Sequence, residues 1–205
     1  MTQPSRPHAA TPSDDDTPKA LLDSGLPLKH LKISECMVTE KDCLIATVLG
    51  SCVSVTFFCP RPRLAGMFHA MLPESTNELF RKRDDCCTMP NPPLDTCKFV
   101  DTAIQCVIAK FAARGVKPSS LEVKLFGGAF SLLSEEKKNV REIVDVGAKN
   151  VAMARLALKK LGLVPTAESV QGNRGRKLFF HTATGKVWMK YLGSRTTMRR
   201  VPRRR

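Results

Sequence analysis

Cys43-Leu-Ile-Ala-Thr47-Val-Leu49-Gly50-Ser51-Cys52-Val53-Ser-Val-Thr-Phe-Phe58 is the stretch on which the fold turns. Residues 43–49 and 53–58 are rich in Val, Ile, Leu, Thr and Phe and read as two strands, with Gly50-Ser51 between them. Small residues precede Cys52 at the edge of an apolar run. Glycine lets the backbone turn sharply and leaves space around the sulfur. Backbone N–H groups in such a turn can face a developing oxyanion. Taken alone, Cys52 is as readily a small buried hydrophobe as a nucleophile.

Outward from this corner, Leu64–Met71 is a third apolar run and carries His69. Residues 73–97 are Pro-rich and charged with little periodicity, which predicts a long surface loop. Phe99, Val100, Ala103, Ile104, Val107, Ile108 and Phe111 recur at helical spacing, so a helix is expected over 98–113 with a stop at Gly115. Leu121–Phe126 reads as a strand running into Gly127-Gly128. A second helix fits 147–161, with Val151, Ala154, Leu158 and Leu161 on one face and Gly162 as its stop. Runs 163–169, 176–182 and 186–192 read as closing strands, the last two joined at Thr184-Gly185. The class is α+β, with more strand than helix.

The ends differ from this body. Residues 1–27, rich in Pro, Ser, Thr and Asp, are expected to be a disordered leader. Residues 28–192 form one domain, and 193–205 a disordered basic tail. The net charge is +14, and Arg supplies much of the tail. A basic body favours acidic partners. Nucleic acid is not expected among them, because a chain with one Trp and one Tyr lacks a stacking platform. No export signal or membrane span is legible, so a cytoplasmic chain with reduced thiols is expected. The eight cysteines show no C-x-x-C spacing, which argues against a zinc knuckle.

His69 interrupts an apolar run, and a polar ring there needs a partner. If Cys52 and His69 lie on neighbouring strands, each serves the other, and the thiol gains thiolate character. His181, beside Phe179 and Phe180, is the second candidate base. Gly127-Gly128 permits close backbone approach. Gly172-Asn-Arg174-Gly-Arg176-Lys177 matches no nucleotide-binding pattern and reads as a basic hairpin.

Several segments together, in order, resemble the CheD family of chemoreceptor glutamine deamidases. They are Thr47-Val-Leu-Gly-Ser-Cys52-Val-Ser-Val, Gly66-Met-Phe-His69-Ala-Met-Leu-Pro73, Phe99-Val-Asp101-Thr-Ala-Ile, Val123-Lys-Leu-Phe-Gly-Gly-Ala129, Val146-Gly-Ala-Lys-Asn150, Gly172-Asn-Arg-Gly-Arg-Lys177 and Thr182-Ala-Thr-Gly185. The resemblance implies a layered α/β/β sandwich of mixed sheets flanked by helices, similar to toxin-type cysteine deamidases. It implies Cys52 as nucleophile, His69 as base and an upstream Thr as third residue. Some members carry that Thr six positions before the Cys, where this chain has Ala46; Thr47 is the candidate here. Ser51, Gly127, Gly128, Arg174, Arg176 and Lys177 are then expected to line or steer the substrate. The implied partner is an acidic helical receptor bundle, with a CheC-type phosphatase as a further partner in some systems. No metal or organic cofactor is implied. A docking protein without chemistry is the rival reading.

Overall fold

The computed structural model describes residues 18–75, 96–130, 145–193 and 198–203. Helix α1 spans Pro18–Asp23, and strands β1 to β5 span Leu28–His30, Cys36–Thr39, Leu44–Leu49, Val53–Cys59 and Leu64–Phe68. Helix α2 covers Val100–Ala112, strand β6 Glu122–Gly127 and helix α3 Val146–Lys160. Strands β7 to β10 follow at Ala167–Val170, Arg176–His181, Val187–Tyr191 and Arg199–Arg200. They form two five-stranded sheets, ordered β1-β3-β8-β9-β10 and β2-β5-β4-β6-β7. Each is mixed: β1–β3 and β6–β7 pair parallel, and the remaining pairs are antiparallel.

Side-chain alternation along the strands sorts the core into layers. Ile45, Leu49, Ala65, Met67, Phe126, Leu178, Phe180 and Met189 fill the space between the sheets. Val53, Val55, Phe57, Leu64, Phe68, Val123 and Leu125 point from the other face of the second sheet onto Ala103, Ile104, Val107 and Phe111 of α2 and Val151, Ala154 and Leu158 of α3. On the outside of the first sheet, Leu44, Ala46, Phe179 and Trp188 pack against Leu21 of α1. The order is therefore two helices, sheet, sheet, and one short helix. Gly50-Ser51 carries the chain from the first sheet into the second, so β3 and β4 are not partners.

The helices follow their sequence signals. The apolar stripe of α2 is buried, and Asp101 sits in its first turn. Asp145 caps α3 by accepting from the Ala148 N–H at 2.9 Å, and Lys159 and Lys160 meet the negative end of its dipole.

The ends and edges correct the expectation. The expected leader, 1–27, contains α1, which exists because Leu21 finds a pocket on the outer face. The expected disordered tail, 193–205, contains β10, which pairs with β9, and Arg203 bridges to Glu122. Its arginines spend their charge on Glu122 and on the Tyr191 ring under Arg199. Strands β1 and β2 carry too few apolar residues to be read from sequence. Most of the loop expected over 73–97 lies outside the described residues. No helix among the described residues is long and apolar enough to cross a membrane.

Candidate active site

Three functional side chains reach one place through strand parity. On β3, Ile45 and Leu49 face the second sheet, so Thr47 between them faces it too. On β5, Ala65 and Met67 face the first sheet, and His69, two residues on, continues that face. On β4 the inward face carries Ser54, Thr56 and Phe58, which puts Cys52 on the same side, partly buried against the inter-sheet core. The Val53–Ala70 bridge carries the β4–β5 register past the strand ends, so Ser54 stands across from His69. Cys52 is then the diagonal neighbour of His69 on one face. Ala46 points the other way, against α1, and has no route to the imidazole.

Thr47 and His69 are joined across the sheets. The Thr47 hydroxyl lies 2.8 Å from Nδ1 of His69 and donates to the Leu31 carbonyl at 2.9 Å. A hydroxyl has one proton, and Leu31 holds it; Thr47 therefore accepts, and Nδ1 is the protonated nitrogen. Nε2 is left with its lone pair. It is buried and makes no hydrogen bond among the described residues, and neither does the Ser54 hydroxyl. Buried polar atoms without partners are rare in folded proteins and mark places where something else is to be bound.

Burial governs the charge of both groups. It lowers the His69 pKa, against the opposing pull of the Leu31 carbonyl and Glu35. It raises the Cys52 pKa, opposed by the residue's own backbone N–H. The resting pair is thus a neutral thiol and a neutral imidazole. A cavity of about 580 Å³ opens beside His69, with Lys32, Ile33, Val48 and Lys177 on its walls.

The turn bearing Cys52 is clamped from behind. Gly128 N–H donates to the Cys52 carbonyl at 2.8 Å, and Ala129 N–H to the Gly50 carbonyl at 2.8 Å. Gly127 has φ +111°, and a Cβ there would overlap the Cys52 carbonyl oxygen. Asn150, fully buried on α3, donates through Nδ2 to the carbonyls of Ser51 and Met71, both at 3.0 Å. One amide thereby ties the chain before Cys52 to the chain after His69.

This arrangement revises several expected roles. Gly127 and Gly128 are buried and hold the Cys52 backbone; they do not form a substrate surface. Arg176 is only 1% exposed, and its guanidinium donates to the carbonyls of Gly127 and Gln171. It braces the glycine turn and cannot steer an acidic partner. His181 lies on the outer face with Phe179, bonded to Thr184 at 3.0 Å and beside Trp188, so it is no base for Cys52. Arg174 is exposed, and Lys177 is half-buried on the cavity wall. Ser51 is half-buried with its carbonyl taken by Asn150. Asn150 had no assigned role in the sequence reading. Its signal was a polar residue in step with Ala154 and Leu158 on an apolar helix face.

A thiol, an open imidazole nitrogen of fixed tautomer and an orienting hydroxyl supply what nucleophilic acyl chemistry requires of a protein. The comparisons with known proteins name the family. A family model described as CheD chemotactic sensory transduction matches residues 71–191. A protein named probable chemoreceptor glutamine deamidase CheD from Oleidesulfovibrio alaskensis is 51% identical over 177 residues, covering 86% of this chain and 78% of that one. Its namesake from Nitratidesulfovibrio vulgaris is 46% identical over 175 residues, covering 85% and 82%. This chain belongs to the CheD family. Among solved structures, the Bacillus licheniformis hypothetical protein YfiH aligns over 66% of this chain and 50% of its own, at 13% identity and a TM-score of 0.38.

Proposed function

We propose that this protein hydrolyses glutamine side chains of chemoreceptors to glutamate, with Cys52 as nucleophile, His69 as general base and Thr47 as the residue that orients it. The observation that carries this reading is the Thr47–His69 bond, which leaves Nε2 as the free lone pair on the face that also bears Cys52.

Because both partners rest neutral, the thiolate forms during attack. Nε2 takes the Sγ proton as sulfur adds to the side-chain carbonyl carbon of glutamine. The negative charge moves to the carbonyl oxygen, where the Cys52 backbone N–H is the nearest candidate donor. Collapse of the tetrahedral intermediate breaks the C–N bond, and the imidazolium returns its proton to nitrogen, so ammonia leaves and a thioester remains. Water, deprotonated by Nε2, adds to the thioester carbonyl. The C–S bond then breaks, glutamate is released and the thiol is restored. A glutamate methyl ester fits the same sequence with methanol as leaving group. Lys32 and Lys177 give the cavity wall a positive face suited to an acidic helical bundle. A CheC-type phosphatase as second partner, the likeness to toxin-type cysteine deamidases and a cytoplasmic site of action belong to the same reading.

The test is ammonia release with site-resolved mass analysis on a receptor cytoplasmic fragment, comparing wild type with Cys52→Ala. Glutamine-to-glutamate conversion lost in the variant supports the assignment. Full conversion by Cys52→Ala refutes the nucleophile. Binding of a receptor panel with no conversion by wild type favours a docking protein.

A further inference from the structure

Cys36, Cys97 and Cys106 come from three different places in the chain: strand β2, the segment before α2, and α2 itself. Their sulfur atoms all lie within 4.8 Å of one another, and Cys36 and Cys106 are 3.8 Å apart. Cys97 and Cys106 are buried, whereas Cys36 is half-buried on the edge strand of its sheet. We propose that these three cysteines form a thiolate site for a soft d10 cation of the zinc type, separate from Cys52.

The spacing suits a metal. Three thiolates about 2.3 Å from a tetrahedral zinc stand roughly 3.8 Å apart, which is the Cys36–Cys106 separation. Soft thiolate ligands select zinc or cuprous ion over magnesium or calcium. Lys110, one turn after Cys106 on α2, places Nζ 3.3 Å from the Cys36 sulfur. An ammonium there favours the thiolate and offsets the excess negative charge of a tris-thiolate metal centre. The half-buried Cys36 gives the ion a way in. On binding, each thiol releases its proton to solvent and the sulfur lone pairs form the metal bonds, with no change of oxidation state.

Sequence spacing hides this site. With nine residues between Cys97 and Cys106 in number, and Cys36 on a distant strand, no linear zinc pattern arises; tertiary packing brings the ligands together. The site would also bear on the catalytic base. Cys36 pairs with Phe68 in the β2–β5 register, and the Glu35 carbonyl accepts the His69 N–H at 2.9 Å. A metal fastening β2 to α2 therefore braces the strand that holds His69, independently of which substrate His69 serves.

The test uses the full chain, purified in a non-chelating reductant, in both the wild-type and Cys52→Ala forms so that the catalytic thiol cannot supply the signal. Zinc content is measured by mass spectrometry, and affinity by competition with a chromophoric chelator. One zinc per chain is expected in both forms, with cobalt giving thiolate charge-transfer absorption. Cys36→Ala and Cys106→Ala are each expected to lose the metal, Cys43→Ala to keep it, and Lys110→Met to weaken binding about 10–100-fold. Cys36→Ala, at the sheet edge, keeps the test decisive if Cys106→Ala fails to fold. Cys86→Ala/Cys87→Ala is expected to retain zinc. Three results overturn the proposal: sub-stoichiometric zinc in the reduced wild type, stoichiometric zinc in a folded Cys36→Ala chain, or an oxidised chain with a Cys36–Cys106 disulfide that takes up no metal after reduction.

Discussion

Replacing Thr47 by Val tests the site with little change of shape. The side chain is 4% exposed, so valine fills nearly the same volume and the packing between the sheets is kept. The loss is the hydroxyl, with its 2.8 Å contact to His69 Nδ1 and its 2.9 Å bond to the Leu31 carbonyl. Stranding buried polar partners costs about 1–3 kcal/mol of stability. In the reaction, the imidazole loses the contact that fixes its tautomer and aim while it carries positive charge. A hydrogen bond of that size present in the transition state corresponds to a fall in kcat of roughly 10–100-fold, at about 1.4 kcal/mol per decade. KM should change little, since Thr47 is argued to act through His69. Ammonia release under saturating receptor fragment gives kcat, and thermal unfolding gives the stability loss. The control is Ala46→Thr in the Thr47→Val background, which moves the threonine to the position some relatives use. Here that residue faces α1, so no activity should return, and the added atoms should crowd Leu21 and Trp188. A Thr47→Val enzyme within twofold of wild type, or recovery through Ala46→Thr, would refute the parity argument.

Further outcomes follow from the same geometry. Gly127→Ala forces a Cβ against the Cys52 carbonyl at a backbone angle of +111° and should cost about 1–3 kcal/mol in strain and most of the activity, read by melting and turnover together. The His69 pKa lies below its usual 6.5, so kcat/KM should hold as pH falls through that value and drop only below it. In the same window the unfolded chain takes up the proton first, so His69 makes stability decline as pH falls from 6.5 towards the folded value; a pH series of denaturant titrations reads this. With its thiol raised above 9.0, Cys52 should be less than about 1% thiolate at pH 7 and alkylate with iodoacetamide more slowly than glutathione does. Arg176→Met should destabilise the chain by about 1–3 kcal/mol through the stranded Gly127 and Gln171 carbonyls. Lys177→Glu should instead leave stability alone and weaken receptor binding most at low salt.

Long apolar elements were legible because burial leaves a periodic trace. The stripe of α2 and the closing strands stand within a few residues of where periodicity places them. The short edges were not. Strand β2, Cys36-Met-Val-Thr39, is half-buried throughout and owes its existence to pairing with β5. Strand β10 is Arg199-Arg200, two charges that no propensity would put in a sheet; register with Met189 and Trp188 holds them there. The catalytic candidates were named from motifs, but parity was already written beside them. Ile45, Thr47 and Leu49 share a face, as do Ala65, Met67 and His69, and applying the two-residue period would have separated Thr47 from Ala46 without coordinates. Arg176 was misread because a basic loop reads as surface until its carbonyl partners are known.

The polar exceptions in this core are not scattered at random. Ser54 Oγ, His69 Nε2 and Asn150 Oδ1 are all buried without partners, and all belong to the neighbourhood of Cys52: Ser54 two residues away, His69 diagonal to it, and Asn150 bonded to the carbonyl just before it. Such atoms each cost free energy in an unliganded fold. Packing alone would have replaced them with carbon, as it has along Val53, Val55 and Phe57 on the other face of the same strand. Meanwhile the backbone around them is over-determined, by Gly128, Ala129 and the Asn150 amide, so the unsatisfied atoms cannot relax by moving. A rigid frame holding open polar atoms favours a ligand that brings its own hydrogen bonds, and a planar primary amide, with two donors and one acceptor, is such a ligand. If so, a glutamine-bearing peptide should raise the melting temperature of Cys52→Ala while the corresponding glutamate peptide raises it less. Equal shifts from the two peptides would mean that these atoms do not read the amide.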